Sequence, residues 1–149
     1  MNPATLVPIL LVLAAGAMVA LQAPTNAILA RAGGSPVFAA LISFAVGTIA
    51  LVLVWLASGS RAEAQGFARL PWYAWLGGLY GATYVTIAAF AAPRIGLASL
   101  ITIGIAGQII SAMVLDHFGV LGLPKDPFSL VRLTGAALVV VGVVLVRRG

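Results

Sequence analysis

The chain has 149 residues, 62% of them hydrophobic and only 7% charged, with a net charge of +5 and no cysteine. Globular proteins carry about 25% charged residues, so composition argues against a soluble fold, and the missing thiols exclude cysteine catalysis, disulfides and cysteine-based zinc sites. A single histidine argues against a metal site within one chain, and basic residues scattered at span edges point to lipid headgroups rather than nucleic acid.

A bilayer span needs about 20 mostly apolar residues. Cutting the chain at its charges and turn signals predicts five helices, at about 4–30, 36–57, 71–92, 95–116 and 128–147. The fold expected is an all-α integral membrane protein forming one transmembrane domain over 1–149. The first segment carries Ala15-Gly16-Ala17, which fits a small-residue cleavage pattern. It lacks a basic n-region at Met1-Asn2-Pro3, and four more apolar segments follow, so it is expected to be a permanent anchor.

That segment runs into "LQAPTNAILAR" at 21–31. Gln22 and Asn26 are i and i+4 and share a helix face, with Thr25 beside it. Pro24 removes one helix N–H and frees a carbonyl near Ala20. Such groups are costly against lipid and useful against a cavity or a partner helix. Two uses stand open: lining a substrate path, or stapling helices together.

Gly33-Gly34 breaks the chain before segment two. Ser35-Pro36 then places a capping side chain before a proline, the favoured start of a helix. Ala39, Ser43 and Gly47 form a small-residue ridge for helix packing. The hydroxyls of Ser43 and Thr48 are expected to bond their own backbone carbonyls. Segment three opens at Pro71, followed by Trp72, Tyr73 and Trp75 at the membrane interface. Gly77 and Gly81 make a GxxxG packing pair. Tyr80, Thr83 and Tyr84 fall on one face and are candidates for an aromatic, hydroxyl-bearing wall. Pro93-Arg94 is expected to be a tight turn into segment four.

Segment four carries Gly107 as a packing residue, Gln108 near mid-span, Ser111 one turn on, and Asp116 near its end. Thr102 is a weaker polar candidate. Asp116 is the acidic residue that touches a span, since Glu63 and Asp126 fall in loops. Asp116 and His117 are expected at a solvated helix end. Asp126-Pro127 is the predicted start of segment five, and Arg132, one turn in, is expected to snorkel to the headgroups. Gly135 and Gly142 are candidates for a contact between subunits.

Five spans put the termini on opposite sides of the membrane. One side receives Arg61, Arg69, Lys125 and Arg132; the other receives Arg31, Arg94, Arg147 and Arg148, so the eight basic residues divide evenly. Orientation follows the Lys/Arg bias, and a chain without bias has no electrostatic reason to choose. Dual topology and an antiparallel homodimer are the expectation. Inverted halves are also the architecture of many secondary transporters. No acid or base stands at mid-membrane, no Ser–His pair has a supporting carboxylate, and no glycine-rich phosphate loop precedes a lysine. An enzyme is therefore not expected. The absent mid-membrane carboxylate also argues against proton-coupled cation export and favours a neutral or anionic substrate, or an uncoupled path lined by Gln, Asn and Tyr.

"AAPRIGLASLITIGIAGQIISAMVLDHFG" resembles the middle of drug/metabolite transporter repeats, and "RLTGAALVVVGVVLVRRG" resembles their closing helix. "LQAPTNAILARAGGSPVFAALISFAVGTIALVL" is similar to the start of one branch, bacterial inner-membrane proteins of about this length with five spans. The resemblance covers essentially the whole chain. It implies a dimer of five-span subunits in the bacterial inner membrane, with the first four helices along the substrate path and the fifth more peripheral. Four-span drug exporters of that superfamily carry a glutamate in the first helix; Gln22 and Asn26 stand here instead.

The function expected is a secondary transporter of a small metabolite or drug-like molecule, working by alternating access in an antiparallel homodimer without a cofactor. Its partners would be a second copy of itself, membrane lipids and a small-molecule substrate. Gln22, Asn26, Tyr80, Tyr84, Gln108 and Ser111 are the candidate path residues. Ser43, Gly47, Gly77, Gly81 and Gly107 are the candidate packing residues. A small dual-topology ion channel and a non-transporting scaffold or lipid-handling subunit are the alternatives.

Overall fold

A computed structural model of the chain describes residues 3–61, 64–67 and 69–148. Met1, Asn2 and Glu63 lie outside the described residues. The helices are α1 (Pro3–Gly33), α2 (Pro36–Ser58), α3 (Ala64–Phe67), α4 (Gly77–Ile95), α5 (Leu97–Phe118) and α6 (Leu130–Arg148), with a 3-10 turn at Trp72–Leu76 leading into α4. Among the described residues there is no strand. Five helical stretches are long and apolar enough to cross a membrane: Thr5–Gly33, Pro36–Ser58, Trp72–Ile95, Leu97–Phe118 and Leu130–Arg148. At most 17% of the most apolar window of any of them is buried inside the chain, which leaves the rest for lipid or another helix. The chain divides into two compact units, residues 1–94 and 95–149.

In the first unit, α1 runs unbroken through Pro8 and Pro24. The Thr25 hydroxyl donates to the carbonyls of Leu21 at 3.1 Å and Gln22 at 2.8 Å, so its polarity is spent on its own helix just past the proline. Gly34, at φ 70°, makes the turn. Ser35 then caps α2, its hydroxyl accepting from the Phe38 N–H at 3.2 Å with Pro36 in the first turn, as the Ser-Pro pair predicts. α1 packs against α2. The buried residues are Ala23, Asn26 and Ala27 of α1, Ala39 and Ala40 of α2, and Val85, Ala88, Ala89 and Ala92 of α4. They belong to the later turns of α1, the first turns of α2 and the last turns of α4. Alanine allows backbones to approach closely where no hydrophobic effect drives helices together.

Two boundaries in this unit differ from the sequence expectation. The helical turns after Pro71 are 3-10, and α-helix begins only at Gly77. Pro93 and Arg94 are not a turn: α4 continues through both to Ile95, and the break falls at Gly96, whose φ of 80° suits glycine. Arg94 is held by its own helix, its guanidinium 3.6 Å above the Phe90 ring and bonded to the Phe90 carbonyl.

In the second unit α5 packs against α6, burying Leu100 and Met113. α5 ends at Gly119, left-handed at φ 61°, whose N–H reaches the carbonyls of Leu115 and Asp116. Asp126-Pro127 does not start the last helix. α6 begins at Leu130, and Ser129 receives the orphan amides, its Oγ from the Arg132 N–H at 3.3 Å and its carbonyl from Leu133 at 2.9 Å. The Asp126 carboxylate is engaged elsewhere.

Candidate substrate-binding groove

The α1–α2 hairpin sets Gln22 opposite Ser43, Gly47 and Thr48. With Phe44 and Leu51 these residues line a groove of about 200 Å³. Gly47 and Ser43 were expected to pack helices together. Within one chain, a Cβ built on Gly47 would meet no atom within 4 Å, so no other helix of this chain closes on that position. The Thr48 hydroxyl departs from expectation. The hydroxyls of Thr25, Thr83, Thr86, Thr102 and Thr134 all bond carbonyls three or four residues back. Among the described residues, the side chains of Gln22, Ser43 and Thr48 have no hydrogen-bond partner.

Asn26 lies one turn from Gln22 on the same face of α1. It is 2% exposed and is the buried polar residue of the described chain. Its Nδ2 makes no hydrogen bond. An unpaired buried donor costs about 1–3 kcal/mol, so an amide kept among alanines points to a role beyond packing.

Phe44 was not singled out by sequence, yet its ring borders two grooves. The second, about 290 Å³, lies between α2 and α4 and is lined by Val37, Ala40, Leu41, Phe44, Ala82 and Thr86. A Cβ built on Gly81 would sit 3.2 Å from Phe44 Cζ, so the glycine makes room for that ring. Gly77, its GxxxG companion, has no atom within 4 Å of such a Cβ. Tyr80 is 64% exposed and Tyr84 is half-buried, and neither lines the two grooves.

In the second unit, Gln108 and Ser111 are exposed on α5, and Gly107 has open space around it. Thr102 is tied to the carbonyls of Ala98 and Ser99. Asp116, in the last turn of α5, and Arg132, in the first turn of α6, are turned toward each other rather than standing free. Arg132 Nη2 lies 2.6 Å from Asp116 Oδ2 and its Nη1 lies 2.8 Å from Asp126 Oδ2, with Arg132 and Asp116 side chains each 29% exposed. Nη1 also donates to the Asp126 carbonyl at 3.0 Å, and the Asp126 N–H donates to the Asp116 carbonyl at 2.8 Å. His117 stacks on Phe128 with centroids 4.2 Å apart and accepts the Phe128 N–H on Nδ1 at 3.2 Å. This network joins the end of α5 to the start of α6 and is structural in character. Among the described residues no cluster could hold a metal ion.

The α1–α2 groove therefore offers neutral hydrogen-bonding groups beside an aromatic ring, and no acid, base or nucleophile with a supporting partner. A family model described as "Putative inner membrane exporter, YdcZ" matches residues 7–145. The chain is also 27% identical to the inner membrane protein YdcZ of Escherichia coli (strain K12) over 138 residues, covering 91% of each. No solved structure matches the chain.

Proposed function

Because this chain belongs to the YdcZ family, an inner-membrane family of the drug/metabolite transporter type, we propose that it is a secondary transporter working by alternating access in an antiparallel homodimer. It is a multi-pass inner-membrane protein with five helices able to span the bilayer. The observation that carries the reading is Asn26: a 2% exposed amide with an unbonded Nδ2, one turn from a groove whose polar side chains are also unengaged. Lipid would reject the unengaged groups of Gln22, Ser43 and Thr48, whereas a transported solute or its water can satisfy them, and a helix shift that uncovers Asn26 would bring its amide to the same path. The even division of basic residues supports the two orientations an inverted pair requires.

The chain has no cysteine, so a single one added after Gly149 reports orientation cleanly. Labelling that residue with an impermeant maleimide from each side of the membrane should give comparable amounts from both. Labelling from one side alone would overturn the self-paired arrangement and require a different protein as the inverted half.

A further inference from the structure

We propose that the groove between α1 and α2 is a solute site for a small uncharged molecule that lays a ring against Phe44 and exchanges hydrogen bonds with Gln22, Ser43 and Thr48. The proposal rests on the transporter reading and names the class of solute that the reading leaves open.

Three observations converge on it. The first is the state of the hydroxyls. Five threonines on these helices turn their Oγ1 back to a carbonyl of the same helix, which hides the group from lipid. Thr48 does not, and Ser43 and Gln22 beside it are equally unengaged among the described residues. Polar groups left unbonded in a membrane-spanning segment need a partner that the chain does not supply.

The second is charge. No charged side chain lines the groove. An ion entering it would lose hydration without meeting a countercharge, which costs far more than a neutral hydrogen bond returns. An amide and two hydroxyls both donate and accept, so they suit a neutral solute that does the same.

The third is size and shape. A cavity of about 150 Å³ admits benzene, and this groove is about 200 Å³. One ring with a polar substituent fits. Gly47 adds no side chain to fill the groove, and Phe44 lines it with an aromatic ring. The neighbouring α2–α4 groove makes the contrast: its one hydroxyl, on Thr86, is bonded to the Ala82 carbonyl at 2.8 Å, and the rest of its lining is apolar. That surface suits hydrocarbon, and the α1–α2 groove suits a solute.

Benzamide, benzoate and benzamidinium share a ring and a planar substituent and differ in charge, so they test the proposal directly. Binding of each to the full chain in lipid nanodiscs is measured by equilibrium dialysis. Benzamide should bind at least about tenfold more tightly than either ion. Thr48→Val, which keeps the shape and removes the hydroxyl, should weaken it about tenfold. Gly47→Leu, which fills open space, should abolish it. Thr134→Val should change nothing, because that hydroxyl is already committed to the Leu130 carbonyl. Equal or tighter binding of an ion, no measurable binding of benzamide, or binding that survives Gly47→Leu would each overturn the proposal. Counterflow of labelled benzamide in proteoliposomes separates this site from the transporter reading. Groove-dependent binding without counterflow overturns transport and keeps the site, whereas counterflow that survives Gly47→Leu keeps transport and overturns the site.

Discussion

At the α5–α6 end, Arg132 holds Asp116 and Asp126 together, and His117 holds Phe128 by both its ring and its Nδ1. Along α1 and α2, Gln22, Asn26 Nδ2, Ser43 and Thr48 bond to nothing in the described chain. Both regions place polar side chains on apolar helices, and both face the same penalty for leaving them unmet. Residues 95–149 meet it internally at the α5–α6 end, with a network that fixes one helix end against another, while Gln108 and Ser111 farther along α5 stay unengaged among the described residues. Residues 1–94 leave it outstanding, which is tolerable only where something from outside settles it. Polarity in a membrane helix therefore points to function by being unpaired, more than by being charged.

Asn26→Leu probes the unpaired side and carries the largest effect. It should abolish solute counterflow in proteoliposomes and leave the dimer intact on crosslinking. Stability should move by no more than about 1 kcal/mol, because the relief of an unsatisfied donor opposes the strain of a larger side chain. A variant that fails to assemble would mean that the amide staples helices. Arg132→Ala probes the paired side. It leaves two carboxylates facing each other without a cation and should cost about 2–3 kcal/mol, read as a fall in thermal midpoint in detergent. Asp116→Asn, which keeps a hydrogen-bonding partner for Arg132, should cost about 1 kcal/mol. If both variants matched the parent protein, the contrast between the units would collapse.

Gly81→Val comes next. Its side chain meets the Phe44 ring, whose approach to a built Cβ is already 3.2 Å. A loss of about 1–2 kcal/mol is expected, while Gly77→Ala should be silent in the same thermal assay. His117→Phe is the mildest. It keeps the ring stack on Phe128 and removes one hydrogen bond, for a loss of about 0.5–1.5 kcal/mol, with faster hydrogen exchange at the Phe128 amide as its signature.

The spans were legible because apolar length is a property of composition, and Ser35-Pro36 was legible because capping acts within one turn. Asp126-Pro127 has the same local form and failed, since its carboxylate is drawn to Arg132, six residues on, and Ser129 does the capping. The bond between Asp116 and Arg132 spans 16 residues, a separation for which no helical spacing rule exists. Thr48 reads in sequence like Thr25, and only the side-chain rotamer, which sequence does not reveal, tells an engaged hydroxyl from a free one. Phe44 is one of six phenylalanines, and nothing in the sequence marks it as the wall between two grooves.

Arg132 also has a history within each molecule. Asp126 stands only six residues before it in the chain, whereas its partnership with Asp116 requires α6 to meet α5. The Lys/Arg weighing that orients a nascent chain takes place during insertion. A polypeptide that pairs Arg132 early enters that weighing with Arg61, Arg69 and Lys125 against Arg31, Arg94, Arg147 and Arg148. One that pairs it late enters evenly matched. If the chain inserts both ways, as proposed above, the proportion of copies facing each way becomes a matter of timing during synthesis, and slowing or hastening translation just beyond α5 should tilt it without changing a single residue.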